Sequence, residues 1–167
     1  MSELDPEKFN SFFIGKVEEI VKNLSSNYNA FNYVNNLIRP NCEFNFAYVT
    51  VQDVYSTILG IKNNSCLYEY SINGEIFKIA APFICEPLTH IYNNCIEYCV
   101  YPDVFKFVKV ISIFKSGHKS HYSNYRPISI IPVVSKIHEM LLYKQIIKHF
   151  EDNSLLDKNQ FGFRKKS

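Results

Sequence analysis

Cysteine and histidine are the residues of this sequence whose chemistry could bind a metal, but their spacing does not form a metal-binding motif. No two of the five cysteines form the C-x-x-C pair that zinc ribbons use. Cys95 and Cys99 lie four residues apart and would share one helix face, yet no second ligand pair has matching spacing. His118 and His121 lie in a basic, serine-containing turn, where solvated histidines are more common than ligands. The sequence therefore predicts no metal site and reduced, mostly buried thiols at Cys42, Cys66, Cys85, Cys95 and Cys99.

Basic side chains are the second group with chemical potential, and they are concentrated in one part of the chain. Residues 1–104 contain six Lys or Arg and twelve Asp or Glu, whereas residues 105–167 contain twelve and four. Cationic surface in one segment favours polyanions, and Lys and Arg contacts to phosphate supply most non-specific nucleic-acid binding. On charge alone, an ordinary solvated basic face is the preferred explanation.

Length and composition indicate an ordinary folded protein. The 167 residues, 47% of them hydrophobic, are enough for one domain or two small layers with a core of usual size. No run of eighteen apolar residues occurs, and the charged start of the chain is interrupted by Pro6. These features predict no membrane span and no secretory signal, and hence an intracellular protein in either nucleus or cytoplasm.

The elements that must position these side chains begin with two helices. An amphipathic helix is predicted over residues 4–24, started by Asp5 and Pro6. A T-x-x-D sequence at Thr50 and Asp53 predicts the start of a short helix that ends within residues 60–64. The apolar face of the first helix consists of Phe9, Phe13, Val17, Ile20, Val21 and Leu24.

Two more helices and two strands are predicted further along. Residues 75–98 read as a helix that Pro82 and Pro87 must restart or bend, because proline lacks the amide donor. Residues 107–114 are dense in β-branched and aromatic residues and predict a strand, and residues 127–132 predict a second extended piece. Ser135 is predicted to open a helix to about Phe150, whose buried face comprises Ile137, Leu141, Ile146, Ile147 and Phe150.

An ordered set of short motifs resembles the reverse transcriptases, or RNA-directed DNA polymerases, of jockey-like non-LTR retrotransposons. The motifs are APFI at 81–84, PLT at 87–89, YPD at 101–103, VKV at 108–110, IFKSG at 113–117, NYRPIS at 124–129, SKI with Glu139 from 135, and QFGFR at 160–164. Their order and spacing are those of the family. The resemblance covers residues 61–167, while residues 1–60 only resemble the variable helical segment upstream of the polymerase.

The resemblance implies roles for individual residues of the polymerase fingers. Arg126 would fork onto the triphosphate of an incoming nucleotide, and Lys115 would assist as a point charge beside the turn at Gly117. The segment from 160 onward would lie along the template strand, so the implied partner is an RNA or DNA template-primer. The implied template contacts are Gln160, Gly162, Phe163, Arg164, Lys165 and Lys166. On spacing alone, Phe161 and Phe163 read instead as core residues.

The sequence also departs from the family's pattern. Ser112 stands where proline is usual, His118 replaces an aspartate, and Phe105 replaces a tryptophan. The palm aspartates that hold two Mg²⁺ ions in the complete family enzyme have no counterpart, since the adjacent acidic pairs are only Glu18-Glu19 and Glu151-Asp152. We therefore expect a truncated finger region without catalytic residues or a cofactor of its own.

The predicted fold class is α+β, mainly helical with a small β finger sheet, as a partial right-hand fold that lacks the palm. The predicted division is a helical amino-terminal extension over residues 1–60 and a truncated finger region over residues 61–167. Two alternatives to an inactive polymerase fragment remain: a non-enzymatic nucleic-acid-binding remnant, and an unselected relic.

Overall fold

The computed structural model describes residues 5–23, 43–63 and 72–156. Helices dominate this part of the chain, and one two-stranded antiparallel sheet accompanies them. The α+β class, mainly helical with a small sheet, is thereby confirmed. The elements in chain order are α1 (Pro6–Asn23), α2 (Val51–Gly60), α3 (Gly74–Glu97), the single turn α4 (Asp103–Lys106), β1 (Lys109–Phe114), a 3-10 turn (Tyr122–Asn124), β2 (Tyr125–Ile130) and α5 (Val133–Asp152).

The chain divides into two compact units that are discontinuous in sequence. Met1–Asn41 and Val110–Ile130 make up the first, which we call the hairpin unit. Cys42–Lys109 and Ile131–Ser167 make up the second, which we call the helical unit. None of the helices in the described ranges combines the length and apolar character needed to span a membrane.

The core of the helical unit forms where α2, α3 and α5 pack together. Its fully buried side chains include Ile58 from α2, Tyr92 from α3 and Ile137 from α5. The Tyr92 hydroxyl donates a hydrogen bond of 2.9 Å to the carbonyl of Val134, so its polar end is satisfied inside the core. Complete burial of an isoleucine side chain such as Ile58 or Ile137 stabilises a fold by about 1.5–3 kcal/mol.

Helix α3 runs without interruption through both of its prolines, so of the predicted restart or bend, the restart does not occur. Pro82 and Pro87 lie on its exposed face. On the opposite face Ala81, Cys85 and Leu88 are buried against the core. Each proline removes one backbone donor, but water can reach the carbonyls left on the exposed side, and burial of the other face holds the helix together.

Helix α2 begins with the predicted capping box. The amide of Asp53 donates to the Thr50 hydroxyl oxygen at 3.1 Å, and the amide of Thr50 donates to the Asp53 carboxylate at 2.9 Å. The segment before it is held by side-chain amides from two other helices. Asn93 bonds both backbone groups of Val49, and Gln145 bonds both backbone groups of Ala47.

Helix α5 is longer than predicted, and only its first half enters the core. Ile137 and Leu141 are buried as expected, whereas Ile147 is half-buried and Ile146 and Phe150 are exposed. The predicted buried face is therefore wrong beyond Leu141, where the shared core of the unit ends. The periodicity also missed His138, which is only 2% exposed.

In the hairpin unit, α1 packs through one end of its apolar face. Phe9 is buried and meets the rings of Tyr122 and Tyr125 edge-on, at 4.8 and 4.9 Å between centroids. The predicted face continues along the helix, but Val17 and Ile20 are about 60% exposed. Most of that face is thus not buried, because the aromatic cluster of the hairpin reaches only the first turns of the helix. Leu4 and Leu24, the predicted ends, lie outside the described residues.

Candidate functional site

The hairpin formed by β1 and β2 carries both predicted nucleotide-binding side chains. Its strands pair Lys109 with Ile130 at one end and Phe114 with Tyr125 at the other. The backbone N–H of Lys115 donates to the carbonyl of Asn124 at 2.7 Å, so this pair is hydrogen-bonded. Because hydrogen-bonded and non-hydrogen-bonded pairs alternate along an antiparallel ladder, the pair Ile113 and Arg126 is also hydrogen-bonded.

This register puts Lys115 and Arg126 on one face of the hairpin, which we call the basic face. Successive side chains of a strand point to opposite faces, so Lys115 lies on the same face as Ile113. Arg126 is the cross-strand partner of Ile113 and therefore lies on that face too. Lys115 and Arg126 are diagonal neighbours, a relationship that typically separates residues by roughly 7–8 Å. Both side chains are exposed. A single phosphate group could therefore contact both cations.

The opposite face of the hairpin packs against α1. Phe114 and Tyr125 lie opposite each other there, with their ring centroids 5.4 Å apart. Phe9 of α1 packs edge-on against the Tyr125 ring. This aromatic contact supports the hairpin from one side and leaves the basic face uncovered by α1.

The turn that joins the strands is held by side-chain hydrogen bonds. The Asn124 side-chain amide donates to the carbonyl of His118 at 2.9 Å, and the Tyr125 hydroxyl donates to the carbonyl of Lys119 at 2.9 Å. Gly117 has a φ of +89°, and a Cβ at this position would lie 2.7 Å from the Asn124 side-chain nitrogen. Both the backbone angle and the available space therefore favour glycine in this turn.

Electrostatically, the hairpin is uniformly cationic. Residues 109–130 include four Lys or Arg and no Asp or Glu. The Nζ atom of Lys119 lies 5.8 Å from the centroid of the Phe114 ring, which places this cation on the side of the hairpin that packs against α1. Sequence reasoning did not assign Lys119 or the turn-fixing role of Asn124. The signal that could have pointed to Lys119 was the absence of any neighbouring carboxylate.

The described histidines and cysteines do not assemble into a ligand cluster. His118 and His121 are exposed in the hairpin turn, with ring centroids 5.8 Å apart, and His118 Nδ1 hydrogen-bonds the Ser120 hydroxyl. Cys99 follows the end of α3 with a φ of 52°, so the predicted helix face shared by Cys95 and Cys99 is wrong. Within the described ranges, no three His, Cys, Asp or Glu side chains are grouped to bind a metal ion.

The prediction of mostly buried thiols holds for only one of the three described cysteines. Cys85 is buried, Cys95 is half-buried and Cys99 is exposed, and all three are free thiols. Burial raises the pKa of the Cys85 and Cys95 thiols, which favours their protonated form. Cys42 and Cys66 lie outside the described residues.

The predicted template contacts at 160–166 also lie outside the described residues, so their arrangement stays a prediction. A separate cleft of about 470 Å³ lies in the helical unit, between the segment before α2 and the second half of α5. Lys144 and Lys148 line it together with the carboxylates of Asp53 and Asp152. Because the carboxylates offset the lysines, this cleft lacks the uniform positive charge of the hairpin.

Comparison with known proteins identifies relatives in mobile elements. The RNA-directed DNA polymerase from mobile element jockey of Drosophila melanogaster is 25% identical over 117 residues, which are 70% of this chain and 13% of the relative. The probable RNA-directed DNA polymerase from transposon X-element of the same species is 31% identical over 78 residues, 46% of this chain and 9% of the relative. A 115 kDa protein attributed to the type-1 retrotransposable element R1DM, also from Drosophila melanogaster, is 30% identical over 95 residues, 56% of this chain and 9% of the relative.

The extent of these matches defines what they establish. No protein-family model matches the chain. The chain spans about a tenth of the length of the curated relatives that it matches. The matches confirm the resemblance indicated by the ordered motifs. Over the shared region, the chain is similar to the RNA-directed DNA polymerases of jockey and X-element and to the 115 kDa protein of the R1DM element.

Proposed function

We propose that this chain is part of the fingers of an RNA-directed DNA polymerase and that its hairpin binds the phosphates of a nucleotide or template-primer. The observation that carries the proposal is the placement of Lys115 and Arg126 on one exposed face of a hairpin that has no carboxylate. Two cations at diagonal positions can share the oxygens of a phosphate group, and Arg126 can donate two parallel hydrogen bonds to it.

The basic face also offers apolar surface between its charges. Ile113 and Ile128 are on this face and are 51% and 41% exposed. A sugar or base can lie against such side chains while the cations contact phosphate, as in surfaces that bind nucleic acid without reading its sequence. This arrangement supports a contact with the nucleotide or the template backbone more than a sequence-reading role.

We also propose that the 167-residue chain does not polymerise DNA by itself. The family's two-metal chemistry uses palm aspartates, and the sequence contains no Asp-Asp pair. A primer-extension reaction with Mg²⁺ should therefore give no product. Extension of the primer by the purified chain would refute this part of the proposal and leave the binding part standing.

The binding proposal is tested by fluorescence anisotropy with a labelled RNA–DNA primer-template at several salt concentrations. Arg126→Gln and Lys115→Gln should each weaken binding and reduce the slope of log affinity against log salt by about 0.9, as expected for one lost phosphate contact. Lys22→Gln is the matched control, because it removes one exposed positive charge from α1. Equal slopes for all three variants would exclude the hairpin as the phosphate-binding surface.

Two assignments are proposals from the resemblance: residues 61–167 form the finger region, and the template is contacted by Gln160, Gly162, Phe163, Arg164, Lys165 and Lys166. Lys165→Gln combined with Lys166→Gln tests the template role in the same titration. If these two lysines contact phosphate, the double substitution should reduce the slope by about 0.9 for each lost contact.

A further inference from the structure

The two outer edges of the hairpin differ in their capacity to bind another strand. Residues in non-hydrogen-bonded pairs direct their backbone N–H and C=O groups away from the partner strand. On β2 these residues include Pro127, which has no N–H to donate. On β1 they are Val110, Ser112 and Phe114, and each of these retains its N–H. Proline therefore blocks the outer edge of β2, while the outer edge of β1 keeps its full set of donors.

The β1 edge is also accessible. Val110 and Phe114 are 54% and 37% exposed, and Ser112 between them is half-buried. In the described part of the chain, no hydrogen bond joins the backbone of these three residues to a helix or loop outside the hairpin. Three outward N–H groups and three outward carbonyls at alternate residues are the pattern to which an extended peptide adds as a new strand.

We propose that the outer edge of β1 binds an extended acidic peptide as a third strand of the sheet. Charge argues for this occupant, because residues 109–130 carry four Lys or Arg and no carboxylate. Lys109 and Lys115 lie on the basic face at the two ends of β1, so carboxylates six residues apart in a paired strand would lie beside them.

The same two lysines argue against a second copy of the chain. A symmetric antiparallel pair of β1 strands that uses all three outward residues is centred on Ser112. In that register Lys109 of one chain lies directly opposite Lys115 of the other, and like charges at such positions are destabilising. The edge is thus selective for a strand of opposite charge. This binding surface shares Lys115 with the proposed phosphate contacts and adds to them the outward backbone groups of β1.

A nine-residue peptide of sequence TETVTVTET tests the proposal. When it pairs antiparallel with β1, its two glutamates face Lys109 and Lys115 while its central threonine lies opposite Ser112. We expect saturable binding of the labelled peptide to the full 167-residue chain, measured by anisotropy. Methylation of the backbone nitrogen of the central threonine, whose N–H points toward β1, should weaken binding about tenfold or more. Methylation one residue earlier, where the N–H points away, should have little effect.

Substitution of the protein gives the second arm of the test. Ser112→Pro removes the central outward donor and should abolish peptide binding, whereas Ser112→Ala keeps that donor and should bind normally. Ser112→Pro should leave primer-template binding unchanged, which separates this proposal from the proposed function and also confirms that the variant folds. Equal binding of both methylated peptides, or no saturable binding to the unsubstituted chain, would overturn the proposal. A dimer lost in Ser112→Pro would overturn it too, because a second copy would then occupy the edge.

Discussion

His138 should make the stability of the helical unit depend on pH. Its side chain is 2% exposed, and its ring stacks on Tyr92 with centroids 4.9 Å apart. The ring of Tyr101, which precedes α4, and the ring of Phe105 in α4 also approach the imidazole, at 5.7 and 6.1 Å between centroids. The Nδ1 atom has no hydrogen-bond partner among the described residues. The nearest carboxylate in sequence, Glu139, accepts a hydrogen bond from the Tyr101 hydroxyl at 3.1 Å.

The direction of the effect follows from burial. Burial disfavours the charged imidazolium and lowers the pKa of His138 below its usual value of 6.5. The unfolded chain therefore binds more protons than the folded chain once the pH falls below that value, so acid favours unfolding. The contribution of neutral His138 to the free energy of unfolding is fully present above pH 6.5. It decreases as the pH falls from 6.5 toward the pKa of the folded state, by at most about 1.4 kcal/mol per pH unit.

Urea unfolding followed by far-ultraviolet circular dichroism at pH 7.5, 6.5 and 5.5 measures this loss. The range stays above the titration of Asp53 and Asp103, whose carboxyl pKa values are lowered from 3.8 by hydrogen bonds from Thr50 and Lys106. His138→Leu cannot be protonated, so its unfolding free energy should change less between pH 6.5 and 5.5 than that of the unsubstituted chain. Equal losses in the two proteins would refute the assignment of this pH dependence to His138.

Two substitutions test the local structures that position the site. Gly117→Ala should weaken primer-template binding several-fold in the anisotropy titration, because the added methyl group displaces the Asn124 side chain and φ is +89°; unchanged affinity would show that the turn conformation does not matter. Thr50→Ala should lower the free energy of urea unfolding by about 1 kcal/mol, the usual cost of losing a helix cap. Thr50→Ser retains the hydroxyl and should lose much less, and equal losses for both would contradict the role of the capping box with Asp53.

Local sequence chemistry predicted the starts of several elements. The T-x-x-D pattern identified α2 because all groups of a capping box lie within four residues of the chain. The strand prediction for residues 107–114 was two residues too long at its beginning. Phe107 and Val108 favour a strand by type, but the ladder starts only at Lys109, where Ile130 of β2 begins to pair.

Burial was predicted less well, because it depends on neighbours that are distant in sequence. The apolar stripes of α1 and α5 have the correct helical period, yet each is buried over only part of its length. In α1 the burial is at Phe9, next to Tyr122 and Tyr125, which are more than a hundred residues away in sequence. Periodicity identifies a face, but the length over which another element covers it is a property of the tertiary structure.

The sequence by itself indicated the resemblance to mobile-element RNA-directed DNA polymerases, the basic character of the second part of the chain and a tight turn at Gly117. These depend on residue types and on spacing along the chain. Only the tertiary structure decided that Lys115 and Arg126 share a face, and that β1 keeps an open edge while Pro127 blocks the other. The physical reason is that a shift of one residue in strand pairing would move these side chains to opposite faces.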